Sequence, residues 1–461
     1  MTVNGETMVV EVDNIDRRGA GRAVTWRENE LGNKKKLKLT VPKTLPGETV
    51  KVTVDRPERK NRRAILDEIL EVSPDRVEVP CPHFDKCGGC VMQHWNYDTG
   101  QLGHKTFLVK QALEDQGFDP NLVLDTIGMD EPWRYRNKME FTFAPDGALG
   151  LHEQGNFRKV ISLDTCLIAG EEMVEAAIAV AEWVKDHQLA GYHKELHEGL
   201  LRHLMVRQSF ATGEMMLALF ATEGPEGELQ KAVDDLVARI GEKFPQVKSF
   251  LWIKNTDWAD RTQAEKIHQL AGRDFIYDEM AGYRFRLWFD TFFQTNPAQA
   301  EKLVELALEL GKPQETEKMI DLFCGVGTFS LPFASKVGKL AGIEIVESSI
   351  ESAKRNAVDN GISNTTFLAK DARNGIDEII ESFGKPELLL LDPPRSGAGG
   401  KVMRRIGRSQ PERIVYVSCN PVSFAEDVKE LEQFGYTLKT VQPVDLFPHT
   451  LHVECVALLT L

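Results

Sequence analysis

Hydrophobic and polar positions follow three rhythms along the chain. Over residues 1–72, short alternating runs (Met8 to Val12, Lys38 to Val41, Glu48 to Val54) send every second side chain to one face, the period of a half-buried strand. Turn sequences such as Arg18-Gly19-Ala20-Gly21 and Leu45-Pro46-Gly47 separate them, and together they predict a small β-barrel of OB type. Over residues 73–275 the signal is mixed. Glu171 to Asp186 and Glu228 to Ile240 have helical apolar spacing, while Trp133 to Lys138 and Leu201 to Arg207 read as basic strands, which predicts an α+β module. Over residues 276–461, apolar runs alternate with helical spacers: Lys318 to Leu322, Lys339 to Glu344, Phe367 to Asp371, Glu387 to Leu391, Arg413 to Val417 and His452 to Leu459. Continuous apolar strands are the mark of a parallel sheet covered on both faces, so this third region is expected to be a doubly wound, Rossmann-like α/β domain closed by a hairpin strand. Ser348-Ser349-Ile350-Glu351 reads as a capping box for the helix after Glu344, and Asn360-Gly361 as its stop.

The ends of those strands carry polar residues. Asp321-Leu322-Phe323-Cys324-Gly325-Val326-Gly327-Thr328 is a strand running into a Gly-x-Gly turn, where backbone can approach a ligand and a helix is expected to open. It is not a full G-x-G-x-x-G and has no Gly-Lys-Ser/Thr, which disfavours a dinucleotide or ATP. Glu344 lies 23 positions after Asp321, placed to accept hydrogen bonds from a ribose diol. Asp371 ends the third strand, where it or its neighbours can meet an adenine edge, and Asp392 ends the fourth.

Two loops near the C-terminus point to chemistry. Asp392-Pro393-Pro394-Arg395 holds a carboxylate in a rigid turn, and Ser418-Cys419-Asn420-Pro421 puts a cysteine at the tip of a strand. A free thiol ionises near pH 8.5, so Cys419 needs a helix N-terminus or a cation such as Arg395 to become a nucleophile. Cys324, inside the cofactor turn, and Cys455, opposite in direction to its strand neighbour Glu454, read as structural.

These elements, with Phe293-Gln294-Thr295-Asn296 and His452-Val453-Glu454, resemble the RNA 5-methyluridine methyltransferase family, and within it the 23S ribosomal-RNA branch. The resemblance covers nearly the whole chain. It implies a class I S-adenosylmethionine methyltransferase domain, with Cys419 as nucleophile and Glu454 as general base. It further implies a methyl donor held by Gln294, Phe323, Glu344, Asp371 and Asp392. Asp392 reads as ordering the cofactor or the base edge, not as an acid. The chemistry is consistent with this. Uracil C5 is too poor a nucleophile to take a methyl group unaided, and thiolate addition to C6 activates it until a base removes the C5 proton. Phe292 and Phe293 are candidates to stack on a flipped base or to lie in the core.

Cys81-Pro82-His83-Phe84-Asp85-Lys86-Cys87-Gly88-Gly89-Cys90, with Cys166, has the makings of a tetrathiolate site. Zinc, with His83 or His94 replacing a thiolate, is an alternative, and disulfides are the reading for an oxidising compartment. The family resemblance implies a [4Fe-4S] cluster on Cys81, Cys87, Cys90 and Cys166. The first region in turn resembles the RNA-binding TRAM domain. Residues 33–63 hold eleven Lys/Arg against three Asp/Glu, a net of +8, in a chain of 461 residues whose net charge is −14. A basic patch on an acidic protein fits a localised polyanion site. The basic strands of the central region are candidates for facing RNA as well. No apolar run reaches the ~20 residues of a membrane helix and no secretory signal is evident, so a soluble cytoplasmic protein is expected, with no obligate protein partner.

A 23S rRNA uracil-C5 methyltransferase is therefore the expected activity. The tRNA enzyme of the same family is the alternative, disfavoured because that branch lacks the basic barrel and the cysteine cluster. An amino-group methyltransferase would need no cysteine, and a non-enzymatic RNA-binding or assembly protein would need no methyl donor.

Overall fold

The computed structural model describes residues 5–28, 34–54, 61–258 and 264–461. Arg56, Arg59 and Lys60 of the basic stretch, and the side chain of Lys35, lie outside the described residues.

The N-terminal region forms a six-stranded sheet in which Lys34–Pro42 and Asn61–Glu71 run parallel and the other neighbours antiparallel. Val10, Ala23, Leu39, Val50 and Ala64, from five different strands, share one core, so the sheet is rolled onto itself as a barrel requires. Alternation decides its surface. Leu37, Leu39 and Val41 are buried, while Lys34, Lys36 and Lys38 on the other face are exposed. Lys36 Nζ lies 6.0 Å from the ring centre of Trp26, which is 61% exposed on the adjoining strand. Arg62, counted in the basic stretch, is instead buried.

The central sheet has seven strands, with helices Glu171–Asp186 and Glu228–Lys243 on one face. The strand Leu201–Gln208 lies in its middle, and this corrects the expectation that it faces RNA. Arg202 and Arg207 are buried, with Arg207 donating to the carbonyls of Thr291 (2.6 Å) and Trp288 (3.2 Å). A charged residue inside an apolar run reads locally as solvent-facing; here its partners lie about eighty residues away. The Trp133–Lys138 segment is also structural. Trp133 stacks on His449 at 3.8 Å, Arg134 donates to the Cys166 carbonyl (2.7 Å), and Asn137 N–H donates to the Thr295 carbonyl (2.9 Å).

In the C-terminal domain we number strands β1 (Lys318–Leu322), β2 (Lys339–Glu344), β3 (Thr365–Ala369), β4 (Leu388–Leu391), β5 (Arg413–Ser418), β6 (Thr437–Val444) and β7 (Glu454–Thr460). Helices are α1 (Pro297–Gly311), α2 (Ser330–Ala334), α3 (Glu347–Asp359), α4 (Ala372–Phe383), α5 (Gly400–Ser409) and α6 (Pro421–Glu432). Strand order is β3-β2-β1-β4-β5-β7-β6, parallel through β5 with β7 antiparallel between β5 and β6. Leu388 and Leu390 pack into one core and Leu389 and Leu391 into the other, which is why this run shows no alternation. Burying each leucine contributes about 1.5–3 kcal/mol relative to exposure.

A helix does follow the Gly-x-Gly turn, five residues long from Ser330, but one local expectation is corrected: Ser348 lies inside α3 instead of capping it. The α3 N-cap is Val346, whose N–H is taken by Glu344 Oε1 at 2.9 Å, so that carboxylate does the capping. In space, the helix Leu102–Glu114 belongs with the C-terminal sheet: Val109, Ala112 and Leu113 share a core with β1, β4 and β5. Among the described residues no helix is long and apolar enough to cross a membrane.

Candidate active site

Every polar strand end named from sequence lies at the carboxyl edge of the sheet, the ligand-binding edge of a doubly wound fold. Ser418 pairs with Cys455 in the β5–β7 ladder, so the next step of that antiparallel register sets Cys419 opposite Glu454. Cys455 turns the other way into the core, and Cys324 is buried too. Cys419 immediately precedes Asn420, the N-cap of α6, whose Oδ1 accepts from the Val422 N–H (3.2 Å). The positive end of α6 therefore adjoins the thiol. Asn420 Nδ2 (2.9 Å) and Ser423 Oγ (3.2 Å) both donate to the Arg395 carbonyl, which ties the cysteine loop to the Asp392-Pro393-Pro394-Arg395 loop.

The carboxylates dominate the electrostatics. Burial, with Asp392 beside it, pushes Glu454 up to about 8, and only Arg395 opposes this. Burial alone raises Asp392 to about 7. Burial and the charges of Glu454 and Asp392 raise Cys419 to about 11, and Arg395 is the weakest of the influences on it. Neither Asp392 nor Glu454 hydrogen-bonds to another described side chain. Burial thus favours the protonated form of all three groups.

The cofactor side is built on β1 to β3. Phe323 adopts φ +65°, and Gly325 and Gly327 adopt +52° and +93°, so the turn after β1 is wound left-handed. Only Phe323 bears a side chain against that preference. Asp321 accepts from Ser330 Oγ at 2.5 Å and is raised to about 7 by burial and by Asp392 and Glu344. Asp371 caps α4 and is held down to about 2 by its bonds to Arg373 (2.8 and 2.9 Å), so its carboxylate is already engaged. Gln294 is buried, and its amide makes no hydrogen bond to a described residue, as suits a ligand contact. Of the two neighbouring aromatics, Phe293 is core and Phe292 is 70% exposed.

Sequence reasoning missed the frame around the β6–β7 loop, residues 445–453, which leads into Glu454. Lys105, fully buried, forms an ion pair with Asp445 and donates to the Phe447 carbonyl at 3.0 Å. Gln101 accepts from the His449 N–H (3.1 Å), Tyr135 Oη donates to the Pro448 carbonyl (3.1 Å), and Gln299 donates to the Asp445 carbonyl (3.1 Å). A lysine on the apolar face of Leu102–Glu114 was the available signal.

The cysteine segment joins the same frame. The N–H groups of Val91 and Met92 both donate to the His449 carbonyl, at 2.9 and 3.1 Å. All four of its cysteines are free thiols. Burial raises Cys87, Cys90 and Cys166, Cys90 to about 12, and each of these three also feels the charge of Cys81. The four therefore converge, and Gly89 N–H donates to Cys87 Sγ (3.4 Å). Among the described residues no group of three or more His, Cys, Asp or Glu is placed to hold a metal ion.

Comparison with known proteins decides the class. The profile of the tRNA (Uracil-5-)-methyltransferase family matches residues 254–461, the part that contains Gln294, Asp392, Cys419 and Glu454. An uncharacterised RNA methyltransferase of Caldanaerobacter subterraneus is 36% identical over 461 residues, 99% of each chain. The chain belongs to the RNA (uracil-5-)-methyltransferase family. It is an S-adenosylmethionine-dependent RNA methyltransferase. A Halalkalibacterium halodurans RNA methyltransferase is 38% identical over 92% of each chain. Among solved structures, the Pyrococcus abyssi tRNA (uracil-54, C5)-methyltransferase in complex with S-adenosyl-L-homocysteine is similar throughout. It has a TM-score of 0.75 and 28% identity over 98% of this chain and 100% of that one. The likeness to the Pyrococcus abyssi enzyme thus extends over nearly the whole chain, not the methyltransferase domain alone.

Proposed function

We propose that this methyltransferase forms 5-methyluridine in 23S ribosomal RNA by covalent catalysis, working in the cytoplasm. The placement of Cys419 opposite Glu454, beside Asp392, carries the chemical part of this reading. Cys419 adds through sulfur to C6 of the flipped uracil and turns C5 into a nucleophile. When bound, S-adenosylmethionine supplies the electrophilic methyl group. Glu454 then takes the proton from C5, the S–C6 bond breaks, and Cys419 leaves as the thiolate. Asp392 orders the uracil edge or the donor. Gln294, Phe323, Glu344 and the Asp371 turn hold the donor, with Glu344 toward the ribose and the backbone around Asp371 toward the adenine. The exposed Phe292 is available to stack on a base.

Cys81, Cys87, Cys90 and Cys166 would hold a [4Fe-4S] cluster. Its part is structural, since methyl transfer moves no electron. The N-terminal barrel acts as a TRAM-type RNA-binding module through the lysines and Trp26 of its exposed face.

The basic barrel face and the cysteine segment support ribosomal RNA. A second reading, tRNA, is favoured by the Pyrococcus enzyme, whose likeness extends across the N-terminal region as well as the site. Incubating the protein and methyl donor with 23S rRNA and tRNA transcripts, then digesting to nucleosides, separates the two. The proposal predicts 5-methyluridine in the 23S digest. Product in tRNA alone would reassign the substrate, and 5-methyluridine in neither would refute the activity.

A further inference from the structure

The outer face of the methyltransferase domain carries a basic groove that the catalytic reading does not use. It lies between α4 and α5, has a volume of about 440 Å³, and is lined by Arg373, Asn374, Lys401, Arg404, Arg405 and Arg408. Five of its six lining residues are cations and none is an acid, in a chain whose net charge is −14.

Three of the guanidinium groups are held by ion pairs. Arg373 pairs with Asp371 (2.8 Å), Arg404 with Glu430 (3.0 Å), and Arg405 with Asp377 and the Arg373 carbonyl. Surface pairs of this kind contribute little to stability, but they hold the planar donors in place, so less side-chain entropy is lost on meeting an anion. Lys401 and Arg408 are exposed and have no ion-pair partner among the described residues. An array with two free cations and three oriented guanidiniums suits several phosphates in a row better than one small anion.

Its position in the fold points the same way. Arg373 is two residues beyond Asp371 at the start of α4, and α5 follows the Asp392-Pro393-Pro394-Arg395 loop. The entry to α5 is fixed by Asp427 of α6, which accepts from the Ala398 (2.6 Å) and Gly399 (3.0 Å) N–H groups. Both helices therefore start at the sheet edge that carries Cys419 and Glu454, and the groove runs away from that edge.

We propose that this groove docks the sugar-phosphate backbone of the RNA strand flanking the target uridine, as a second anchor apart from the N-terminal barrel. The proposal rests on RNA being the substrate. Phosphate contacts position a strand without reading its sequence, and each one made by a cation adds to the salt dependence of binding.

The test is the salt dependence of RNA affinity, measured by fluorescence anisotropy with a labelled uridine-containing RNA, for wild type and for Lys401→Ala/Arg408→Ala. Each lost contact should lower the slope of log K against log [salt] by about 0.7–0.9, so the double variant should lose roughly 1.4–1.8. Charge reversal to Glu at both positions should weaken binding further. S-adenosylmethionine affinity, measured on the same samples, reports that the domain is folded. Salt-dependent wild-type binding that both variants leave unchanged would overturn the groove. A salt-independent loss would overturn it equally. Wild-type protein that does not bind RNA at all would overturn the RNA reading itself.

Discussion

Cys419 and Glu454 each lie one residue past the Ser418–Cys455 pair that ends the antiparallel β5–β7 ladder, and the charge of Glu454 reaches the Cys419 thiol. Opposite residues of such a ladder present their side chains to the same face. Thirty-five residues apart in the chain, the proposed nucleophile and base are thereby brought to one end of the sheet. Their charges also oppose one another, because an ionised Glu454 raises the Cys419 thiol.

That opposition fixes the direction of the pH dependence. Burial holds Glu454 up to about 8 and Cys419 up to about 11, so both are protonated at neutral pH. Both must lose a proton to act, and kcat/KM should therefore climb with pH through about 8 and keep rising above it. Well below that point a single required ionisation gives on the order of tenfold per pH unit. Arg395 is the cation that lowers both groups, so Arg395→Met should move the rise to higher pH. A rate profile flat between pH 6 and 9 would refute this electrostatic picture.

Removing the base should stop the reaction at its last step. Glu454→Gln keeps the shape of the side chain but leaves no carboxylate to take the C5 proton. On ordinary uridine RNA this variant should accumulate a protein–RNA adduct that survives denaturing electrophoresis, while turnover falls by about 10²–10⁴-fold. Turnover near the wild-type rate would move the base elsewhere.

The loop before Glu454 depends on a buried charge pair. Lys105→Met leaves Asp445 without its cation and should cost about 3–5 kcal/mol, read as a lowered Tm. Lys105→Met combined with Asp445→Leu should recover part of that loss. Equal destabilisation by the single and double variants would mean that the pair adds nothing beyond packing.

How much of this was legible follows from where each signal lies. The strands of the C-terminal sheet, and the residues at their tips, are written in continuous apolar runs that end in polar motifs. Cys419 and Glu454 could be picked out as separate residues, but their juxtaposition is a matter of register between β5 and β7, which no local period encodes. The Lys105–Asp445 pair joins residues hundreds of positions apart, and Arg207 looks solvent-facing until its carbonyl partners are seen. The Ser348 capping box failed for a different reason. Glu344 took the orphan N–H of Val346, so α3 began earlier than the serine pattern indicated.

The cysteine segment is hydrogen-bonded to the His449 carbonyl, so its order should reach the active site. Protein purified without oxygen should carry iron and acid-labile sulfide at about four of each per chain, and Cys90→Ala should abolish both. It should also reduce methyl transfer while leaving donor affinity intact, since Gln294 and Glu344 lie on other elements. Full activity in iron-free Cys90→Ala protein would break the link.

The central claim is that Cys419 forms a bond to C6 of a uracil. Protein should be mixed with S-adenosylmethionine and RNA carrying 5-fluorouridine, whose C5 fluorine no base can remove as a proton. After protease and nuclease digestion, the mass of the Cys419 peptide is measured. The account predicts a peptide carrying a methylated fluorouridine nucleotide on Cys419, absent from Cys419→Ala. An unmodified Cys419 peptide, from protein that still methylates ordinary RNA, would contradict it.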